Sequence, residues 1–262
     1  MSEPLITYEL DGNVALIGLN RPDKRNAIND PLIDELRAAV LRAHEEADVA
    51  VLFGHGSNFC AGLDLAEALA RATGQIKPQR KRRRHNWHEV FDLIARGPIP
   101  FVAALHGAVV GGGLELATAA HVRVGDATAL FGLPEGQRGI FVGGGGTVRI
   151  QRVVGTTVMM DMMLTGRLLN AAEGLQADVI RYTTPAGEAL AKAKELAVRI
   201  AQNSIDTNWM IINVLPRIHD LSHDDGLFVE QLNSARARPP EAEARLREFV
   251  DGKAKKLQEN QA

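Results

Sequence analysis

The fold is predicted outward from one stretch of the sequence, residues 100–115, which read P-F-V-A-A-L-H-G-A-V-V-G-G-G-L-E. Its apolar part, residues 101–110, predicts a buried strand, and Leu114 and Glu115 predict the opening of a helix. Three glycines lie between the strand and the helix, so the backbone N–H groups of this turn are unpaired and unshielded by side chains. Such a turn can hold an anion or a developing oxyanion, and it places a carboxylate just after the glycines.

The composition is typical of a globular protein with one large domain, or with a core domain and a smaller appendage. Of the 262 residues, 45% are hydrophobic and 24% are charged, and the formal net charge is −2. A slightly acidic chain has no general attraction to nucleic acid or to acidic membrane surfaces. The single cysteine, Cys60, excludes an internal disulfide and favours a reducing compartment. Because no signal peptide, transit peptide or apolar run of about 20 residues occurs, we expect a cytoplasmic protein without membrane partners.

Strands alternate with helices in the first part of the chain, and helices dominate the rest. Residues 5–10 and 14–19 predict a hairpin, and Asp30 is the expected N-cap of the helix that follows. Because residues 49–53 predict the next strand, the strand–helix–strand order favours parallel pairing. The remaining expected elements are two helices within 64–97, strands at 122–124 and 128–131, a helix capped by Thr147, and helices at 156–164, 186–202, 206–219, 226–236 and 241–257. This order predicts an α/β fold with a helical C-terminal part.

Two glutamates lie in glycine-rich surroundings. Glu115 follows the first glycine cluster, and Glu135 lies in F-G-L-P-E-G, residues 131–136. Each has a structural interpretation, as an acid in a first helical turn or as a solvated loop residue. Glycine costs stability unless the backbone must approach something closely, so the glycines around both acids favour a site. Two carboxylates can hold one water between them, with one acting as general base and the other as general acid.

A second backbone donor is expected from the turn C-A-G-L-D, residues 60–64. Its residues are small, it lies between a predicted strand and a predicted helix, and Asp64 is a candidate cap of that helix. One N–H group from this turn and one from the triple glycine would together stabilise an enolate or tetrahedral oxygen. One such donor typically contributes about 2.7–4 kcal/mol to lowering the barrier.

These residues carry a resemblance to the crotonase superfamily of enoyl-CoA hydratases and isomerases. The matching segments, in order along nearly the whole chain, are N-R-P-D-K-R-N-A-I (20–28), N-F-C-A-G-L-D-L (58–65), H-G-A-V-V-G-G-G-L-E-L (106–116), F-G-L-P-E (131–135) and G-G-G-G-T (143–147). The resemblance implies a crotonase-like spiral of ββα turns with a parallel sheet over residues 1–200. It also implies a C-terminal α-helical trimerisation region over residues 201–262, in a homotrimer or a homohexamer that is a dimer of trimers.

The resemblance also implies an acyl-CoA substrate and syn addition of water to a 2-enoyl-CoA thioester. The N–H groups of Leu63 and Gly112 would hold the thioester oxygen. Glu115 would activate the water, and Glu135 would protonate the α-carbon. The residues implied to bind CoA or substrate are Lys24, Arg25, Ala27, Ile28, Ala61, Asp64, Leu65, Gly111 and Pro134. No metal is expected, and no cofactor is expected apart from the CoA of the substrate.

Three positions depart from the family pattern. Val142 replaces a proline that many hydratases have, Gly136 stands where an apolar residue usually follows the acid, and Leu63 is bulkier than the common alanine. Because these changes can reshape the acyl pocket, an unusual acyl group stays open, such as a methylthioacryloyl or an aryl enoyl group. A thioester hydrolase and an isomerase of the same superfamily stay open as alternative activities.

A short-chain NAD(P)-dependent dehydrogenase is the strongest rival from another class. Residues 107–113, G-A-V-V-G-G-G, have its glycine spacing, and Asp126 follows at a suitable distance. Two features argue against it. The motif lies in the middle of the chain, and the required Tyr-x-x-x-Lys pair is missing, because the only tyrosines are Tyr8 and Tyr182 and Ala186 stands four residues after Tyr182.

Other chemically capable residues favour structural roles. Cys60 in an apolar setting is more typical of a core than of a nucleophile. His85 and His88 have H-x-x-H spacing without an evident third metal ligand, and His106 is expected to be a hydrogen-bonded core histidine. The basic run at 77–84 fits either CoA phosphates or a solvated helix face. No aromatic residues interleave with it, which disfavours nucleic acid, and the two glutamates disfavour a non-enzymatic binding protein.

Overall fold

The computed structural model describes residues 3–76, 86–236 and 240–252. Within these ranges the strands are β1 (Ile6–Asp11), β2 (Val14–Leu19), β3 (Val49–Gly54), β4 (Phe101–Leu105), β5 (Ala108–Val110), β6 (Val122–Asp126), β7 (Leu130–Gly132), β8 (Leu168–Leu169) and β9 (Tyr182–Thr184). The helices are α1 (Asp30–Glu46), α2 (Leu65–Ala72), α3 (Asn86–Arg96), α4 (Gly112–Ala117), α5 (Gly146–Val154), α6 (Thr156–Thr165), α7 (Ala171–Gln176), α8 (Ala189–Ala201), α9 (Ile205–Asn213), α10 (Leu215–Ile218), α11 (His223–Arg236) and α12 (Pro240–Val250).

The described strands form two sheets. One has the order β1-β2-β3-β4-β6-β9, and the other has the order β5-β7-β8. The predicted hairpin is confirmed, since β1 and β2 pair antiparallel, and the pairings from β2 to β9 are parallel. Each of the turns β4-β5-α4 and β6-β7-α5 places its first strand in the larger sheet and its second strand in the smaller one. The predicted α/β fold with a parallel sheet is therefore confirmed.

The apolar run at 101–110 is two strands, not the single strand that its composition predicts. The chain turns at Gly107, which has a positive φ of 52°. A Cβ atom there would lie 2.1 Å from the carbonyl oxygen of Ser57, so only glycine fits this turn. β4 and β5 consequently belong to different sheets.

Several predicted boundaries are wrong for local reasons. The N-cap of α1 is Asn29, whose side chain accepts a hydrogen bond from the N–H of Leu32, and Asp30 lies inside the helix. Helix α5 begins at Gly146, so Thr147 is not its cap. The predictions missed β8 and β9, since strands of two or three residues show no measurable alternation. The basic run 77–84 and His85 lie outside the described residues.

The chain divides into two compact units, Met1–Ala201 and Gln202–Ala262. The first contains both sheets together with α1 to α8, and the second contains α9 to α12. In the second unit, large apolar side chains such as Trp209, Leu215 and Phe228 are exposed. No described helix has both the length and the apolar character that a bilayer span requires.

Candidate active site

Two turns from distant parts of the chain run side by side. The N–H of Cys60 donates to the carbonyl of Ala108 (2.9 Å), and the N–H of Val110 donates to the carbonyl of Cys60 (3.0 Å). Because this short pairing is parallel, the segment after Cys60 and the segment after β5 run side by side in the same direction. A Cβ atom at Gly62 would lie 2.6 Å from the carbonyl oxygen of Val110 and 3.0 Å from the nitrogen of Gly112. The two turns can therefore approach this closely only because residue 62 is a glycine.

The N–H groups of Leu63 and Gly112 are both left for a ligand. Ile28 donates to the carbonyl of Gly62 (2.7 Å) and accepts from the N–H of Asp64 (2.9 Å). In a parallel pairing of this kind the intervening residue directs its own N–H to the other side, so the N–H of Leu63 points away from Ile28. Gly112 is the first residue of α4, where no helical acceptor exists. Within the described ranges, neither N–H donates a hydrogen bond to a protein acceptor.

Gly111 must be a glycine for two reasons. Its backbone has φ 56° and ψ −124°, a conformation that L side chains rarely adopt. A Cβ atom there would also lie 2.7 Å from Oε1 of Glu135. Helix α4 begins at Gly112, two residues before the predicted start at Leu114, and Glu115 lies in its first turn.

The carboxylate of Glu115 is held by the second glycine cluster. The side chain is buried, and its Oε1 accepts hydrogen bonds from the N–H groups of Gly144 (2.7 Å) and Gly146 (2.8 Å). A Cβ atom at Gly146 would lie 2.7 Å from Cγ of Glu115, so glycine is what lets this loop close around the acid. Oε2 of Glu115 makes no hydrogen bond to any described residue, which leaves it available to a ligand. Sequence reasoning missed this contact, although the density of glycines at 143–146 was its signal.

The carboxyl group of Glu135 is buried, with 7% of the residue exposed. Burial raises its pKa above the ordinary value and the nearby charge of Glu115 raises the pKa further, while a hydrogen bond from its own backbone and the charge of Arg138 oppose the shift. Oε2 of Glu135 is buried and has no hydrogen-bond partner among the described residues. A carboxyl with a raised pKa keeps its proton at a higher pH than usual and can act as a proton donor.

The departure at Gly136 follows from packing. A Cβ atom there would lie 2.6 Å from the carbonyl oxygen of Met163 in α6. A side chain at this position would therefore push α6 away or displace Glu135. Val142, the second departure, is buried in the core.

One cleft brings most of the predicted site residues together. Its lining residues that were predicted are Lys24, Arg25, Ala27, Ala61, Leu63, Asp64, Leu65, Gly111, Pro134 and Glu135. Sequence reasoning missed three further lining residues, Val110, Arg138 and Ile140. Ile28 is fully buried and lines a neighbouring apolar pocket with Leu63 and Trp87. Gly112 and Glu115 lie outside the lining of the cleft, Gly112 beneath the ring of Trp87 and Glu115 against the second glycine cluster.

Asp64 caps α2, as predicted. Its Oδ1 accepts from the N–H groups of Ala66 (3.1 Å) and Glu67 (3.2 Å), and its Oδ2 pairs with Arg21 (2.8 Å). Burial acts to raise the pKa of Asp64, but the hydrogen bonds from Arg21 and the backbone outweigh burial and lower it. Both carboxylate oxygens are thus used within the protein, and Asp64 holds the turn that carries Leu63.

Asn26, which sequence reasoning missed, fixes the loop that carries Lys24 and Arg25. It is fully buried with a left-handed φ of 53°. Its side-chain amide donates to the carbonyls of His55 (2.9 Å) and Asn58 (2.7 Å). Its Oδ1 accepts from the N–H of Arg21 (2.8 Å). The asparagine therefore joins the basic loop to the turn before Cys60.

We expect Asn26→Ala to lower the free energy of unfolding by about 3 kcal/mol, because buried backbone groups would lose their partners. The measurement is urea denaturation at constant pH. Asn13→Ala is the matched control, since among the described residues the side chain of Asn13 makes one exposed hydrogen bond, to Asp48 (2.7 Å). Equal effects of the two substitutions would contradict this role for Asn26.

Among the described residues, those of the competing candidate sites are not placed for catalysis or cofactor binding. Cys60 is fully buried, and burial raises its pKa to about 12, which is unsuitable for a nucleophile. Asp126 accepts from Thr128 and Gly187 and is buried, so it is not placed to bind a ribose. His106 contacts the carbonyl of Gly56 (3.0 Å) but is only half-buried, so it is not the core histidine that we predicted. Within the described ranges no group of three candidate metal ligands occurs.

Comparison with solved structures defines the class of protein. The chain is similar to a proposed enoyl-CoA hydratase from Rhodopseudomonas palustris CGA009, with 43% identity, 97% of each chain covered and a TM-score of 0.86. It is also similar to enoyl-CoA hydratase from Bacillus anthracis, with 26% identity, 95% of this chain and 96% of that chain covered, and a TM-score of 0.85. The fold, with its two buried glutamates beside paired glycine turns, is that of the crotonase class.

Sequence comparison is more specific. The family model described as enoyl-CoA hydratase/isomerase matches residues 9–233. The protein named probable enoyl-CoA hydratase echA8 from Mycobacterium bovis is 30% identical over 258 residues, which cover 97% of this chain and 98% of that protein. The chain belongs to the enoyl-CoA hydratase/isomerase family.

Proposed function

We propose that this protein is a hydro-lyase that adds water in syn fashion across the double bond of a 2-enoyl-CoA thioester. Membership of the family supports an acyl-CoA substrate. The observation that supports this proposal most strongly is the different environment of the two glutamates. Glu115 is held through one oxygen only, and Glu135 is a buried carboxyl with a raised pKa, so one acid is suited to accept a proton and the other to donate one.

The N–H groups of Leu63 and Gly112 would form the oxyanion hole. Attack of water on the β-carbon moves negative charge onto the thioester oxygen, where two donors with no protein acceptor stabilise it. This stabilisation is greater in the transition state than in the ground state, because the oxygen is more negative there. The bulk of Leu63 does not interfere, since only its backbone is used.

The protons balance between the two acids. Oε2 of Glu115 takes a proton from the water as the water oxygen bonds to the β-carbon. Glu135 delivers its proton to the α-carbon, and the enolate returns to the thioester. The chain then holds Glu115 protonated and Glu135 ionised, and transfer of one proton between them through water restores the starting state. No cofactor apart from the CoA of the substrate is required by this scheme.

Lys24 and Arg25 line the cleft and are suited to bind the phosphates of CoA. The same cleft is also lined by predicted residues that are suited to contact the pantetheine or acyl part of the substrate, namely Ala27, Ala61, Asp64, Leu65, Gly111 and Pro134.

The exposed apolar side chains of α9 to α11, such as Ile205, Trp209 and Phe228, support an oligomerisation role in a homotrimer or homohexamer. An unpaired and buried Cys60 is consistent with a cytoplasmic location.

The test is a panel of enoyl-CoA esters that includes crotonyl, methylthioacryloyl and aryl enoyl thioesters. Loss of the conjugated-thioester absorbance without release of free thiol is the expected result. Release of free thiol would replace hydration by the hydrolase alternative, and a shift of the double bond without addition of water would replace it by the isomerase. If no ester in the panel changes, the proposed function is wrong.

A further inference from the structure

The glycine loop at residues 143–146, which holds Glu115, is contacted at two of its backbone carbonyls by the side chains of His88 and Arg149. Nε2 of His88, on α3, contacts the carbonyl oxygen of Gly143. The guanidinium of Arg149, on α5, donates through Nη2 to the carbonyl of Gly144 and through Nη1 to Oδ1 of Asp92 (2.9 Å). We call His88 and Arg149 together the carbonyl clamp.

The peptide geometry connects the clamp to Glu115. In a trans peptide the carbonyl and the N–H point in opposite directions. In the peptide that joins Gly143 to Gly144, the carbonyl contacts His88 and the N–H donates to Oε1 of Glu115. Arg149 fixes the next peptide through the carbonyl of Gly144. The following peptide is fixed by the first turn of α5, since the carbonyl of Gly145 accepts from the N–H groups of Val148 and Arg149, both at 3.1 Å.

Burying the guanidinium of Arg149 costs free energy that its contacts within the protein must offset. Its side chain is 16% exposed and lies 6.0 Å from the centroid of the Phe91 ring. Burial lowers the pKa of Arg149, while the charges of Asp92 and Glu115 oppose that shift. Removing a guanidinium from water costs free energy that a single half-exposed carboxylate only partly offsets. The hydrogen bond from Arg149 to the carbonyl of Gly144 and the negative charge of Glu115 also stabilise the buried guanidinium.

We propose that Arg149, with His88, is a positioning residue for hydration: it fixes the Gly143–Gly146 loop so that Oε1 of Glu115 is held and Oε2 faces the water. This inference rests on the proposed function. Because glycines have the greatest backbone freedom, four in succession would adopt many conformations without an external hold. A displaced loop would let the Glu115 carboxylate rotate away from the position in which it takes the proton. A misplacement of about 1 Å can lower a rate about 10²-fold.

The kinetic test compares Arg149→Met and Arg149→Lys with the wild type. Met keeps an unbranched stem against Phe91 but no donors, and we expect kcat to fall about 10- to 100-fold with KM within about twofold. Lys keeps the charge and one group of donors, so it should retain more of kcat than Met. His88→Leu should act in the same direction as Arg149→Met. An unchanged kcat in Arg149→Met would overturn the proposal.

A second measurement separates positioning from general support of the fold. Amide hydrogen exchange, followed by mass spectrometry, should become about tenfold faster in Arg149→Met for the peptide spanning residues 143–147, with α3 and residues 148–154 of α5 unchanged. Faster exchange throughout α3 and α5 would show a scaffolding role and overturn the proposal. The matched control is Arg37→Gln, because Arg37 forms an exposed ion pair with Glu89 on the same helix α3 (3.1 Å) and should change neither readout.

The exchange measurement also distinguishes the failure of this inference from the failure of the proposed function. If the wild-type protein hydrates no ester of the panel, the proposed function is wrong. The exchange data alone then decide whether the clamp holds the loop around Glu115. If the wild type is active and the exchange of residues 143–147 is the same in both proteins, the clamp is wrong while the function stands.

Discussion

Glu115→Gln is expected to lower kcat for hydration of crotonyl-CoA by about 10²- to 10⁴-fold, the range typical of a lost general base. Glutamine keeps a carbonyl oxygen that can accept from the N–H groups of Gly144 and Gly146, so the glycine loop should stay in place. Its NH₂ group replaces Oε2 and cannot take a proton from water. Because substrate contacts are unchanged, KM should change by less than about threefold.

The matched control for this substitution is Glu195→Gln. Glu195 is an exposed residue on α8 that pairs with Lys192 (2.9 Å), and it is not among the residues that line the cleft. The measurement is the steady-state loss of the conjugated-thioester absorbance at several substrate concentrations. If Glu115→Gln retained wild-type kcat, the two-carboxylate mechanism would be wrong, whatever Glu195→Gln does. A large rise in KM with normal kcat would instead assign Glu115 to substrate binding.

The parts of the site that sequence could predict are those that lie within one short segment. The glycine turn before α4 and the turn at 60–64 each carry their own signal, because glycine and a capping aspartate have local reasons to occur there. The proximity of the two turns was not deducible from the residues alone. It came from resemblance, and the structure shows its cause in the pairing of Cys60 with β5 and in the missing side chain of Gly62.

The contacts that sequence could not predict join residues far apart in the chain. The hydrogen bonds from Gly144 and Gly146 to Glu115 depend on where α3 and α5 place the loop, and no local pattern encodes that placement. Asn26 looks like an ordinary loop asparagine until its left-handed backbone and its buried partners are known. The division of the apolar run at Gly107 was missed because both halves are equally apolar, and only the close approach of Ser57 distinguishes a turn from a continuous strand.

Glu135→Gln is expected to slow hydration strongly and at the same time to stabilise the protein at neutral pH. Glutamine cannot deliver a proton to the α-carbon, so kcat should fall about 10²- to 10⁴-fold. In the wild type, kcat/KM should decline as the pH rises through the raised pKa of Glu135, because the protonated form is the proton donor. The opposite effect on stability follows from the same burial, since an ionised Glu135 would have an unpartnered Oε2.

The sign of the stability effect can be derived from the pKa shift. The folded-state pKa of Glu135 lies above the unfolded value of about 4.3, so the folded protein binds this proton more tightly. Stability of the wild type therefore falls as the pH rises from the unfolded pKa through the folded pKa, and it stays lower above that window. Glutamine has no such dependence. The melting temperature of Glu135→Gln minus that of the wild type should be near its minimum below pH 4 and should grow towards neutral pH.

Glu195→Gln is again the control, and its effect on the melting temperature at neutral pH is expected to be opposite in sign to that of Glu135→Gln. The hydrogen bond from Lys192 lowers the pKa of Glu195, so its ionised form stabilises the folded state above the unfolded pKa. Its substitution should lower the melting temperature slightly at neutral pH and have no effect in acid. A Glu135→Gln protein that melts below the wild type at pH 7 would show that Glu135 is a structural residue. A more stable but inactive variant would show that the burial of this acid is retained for proton transfer at the expense of stability.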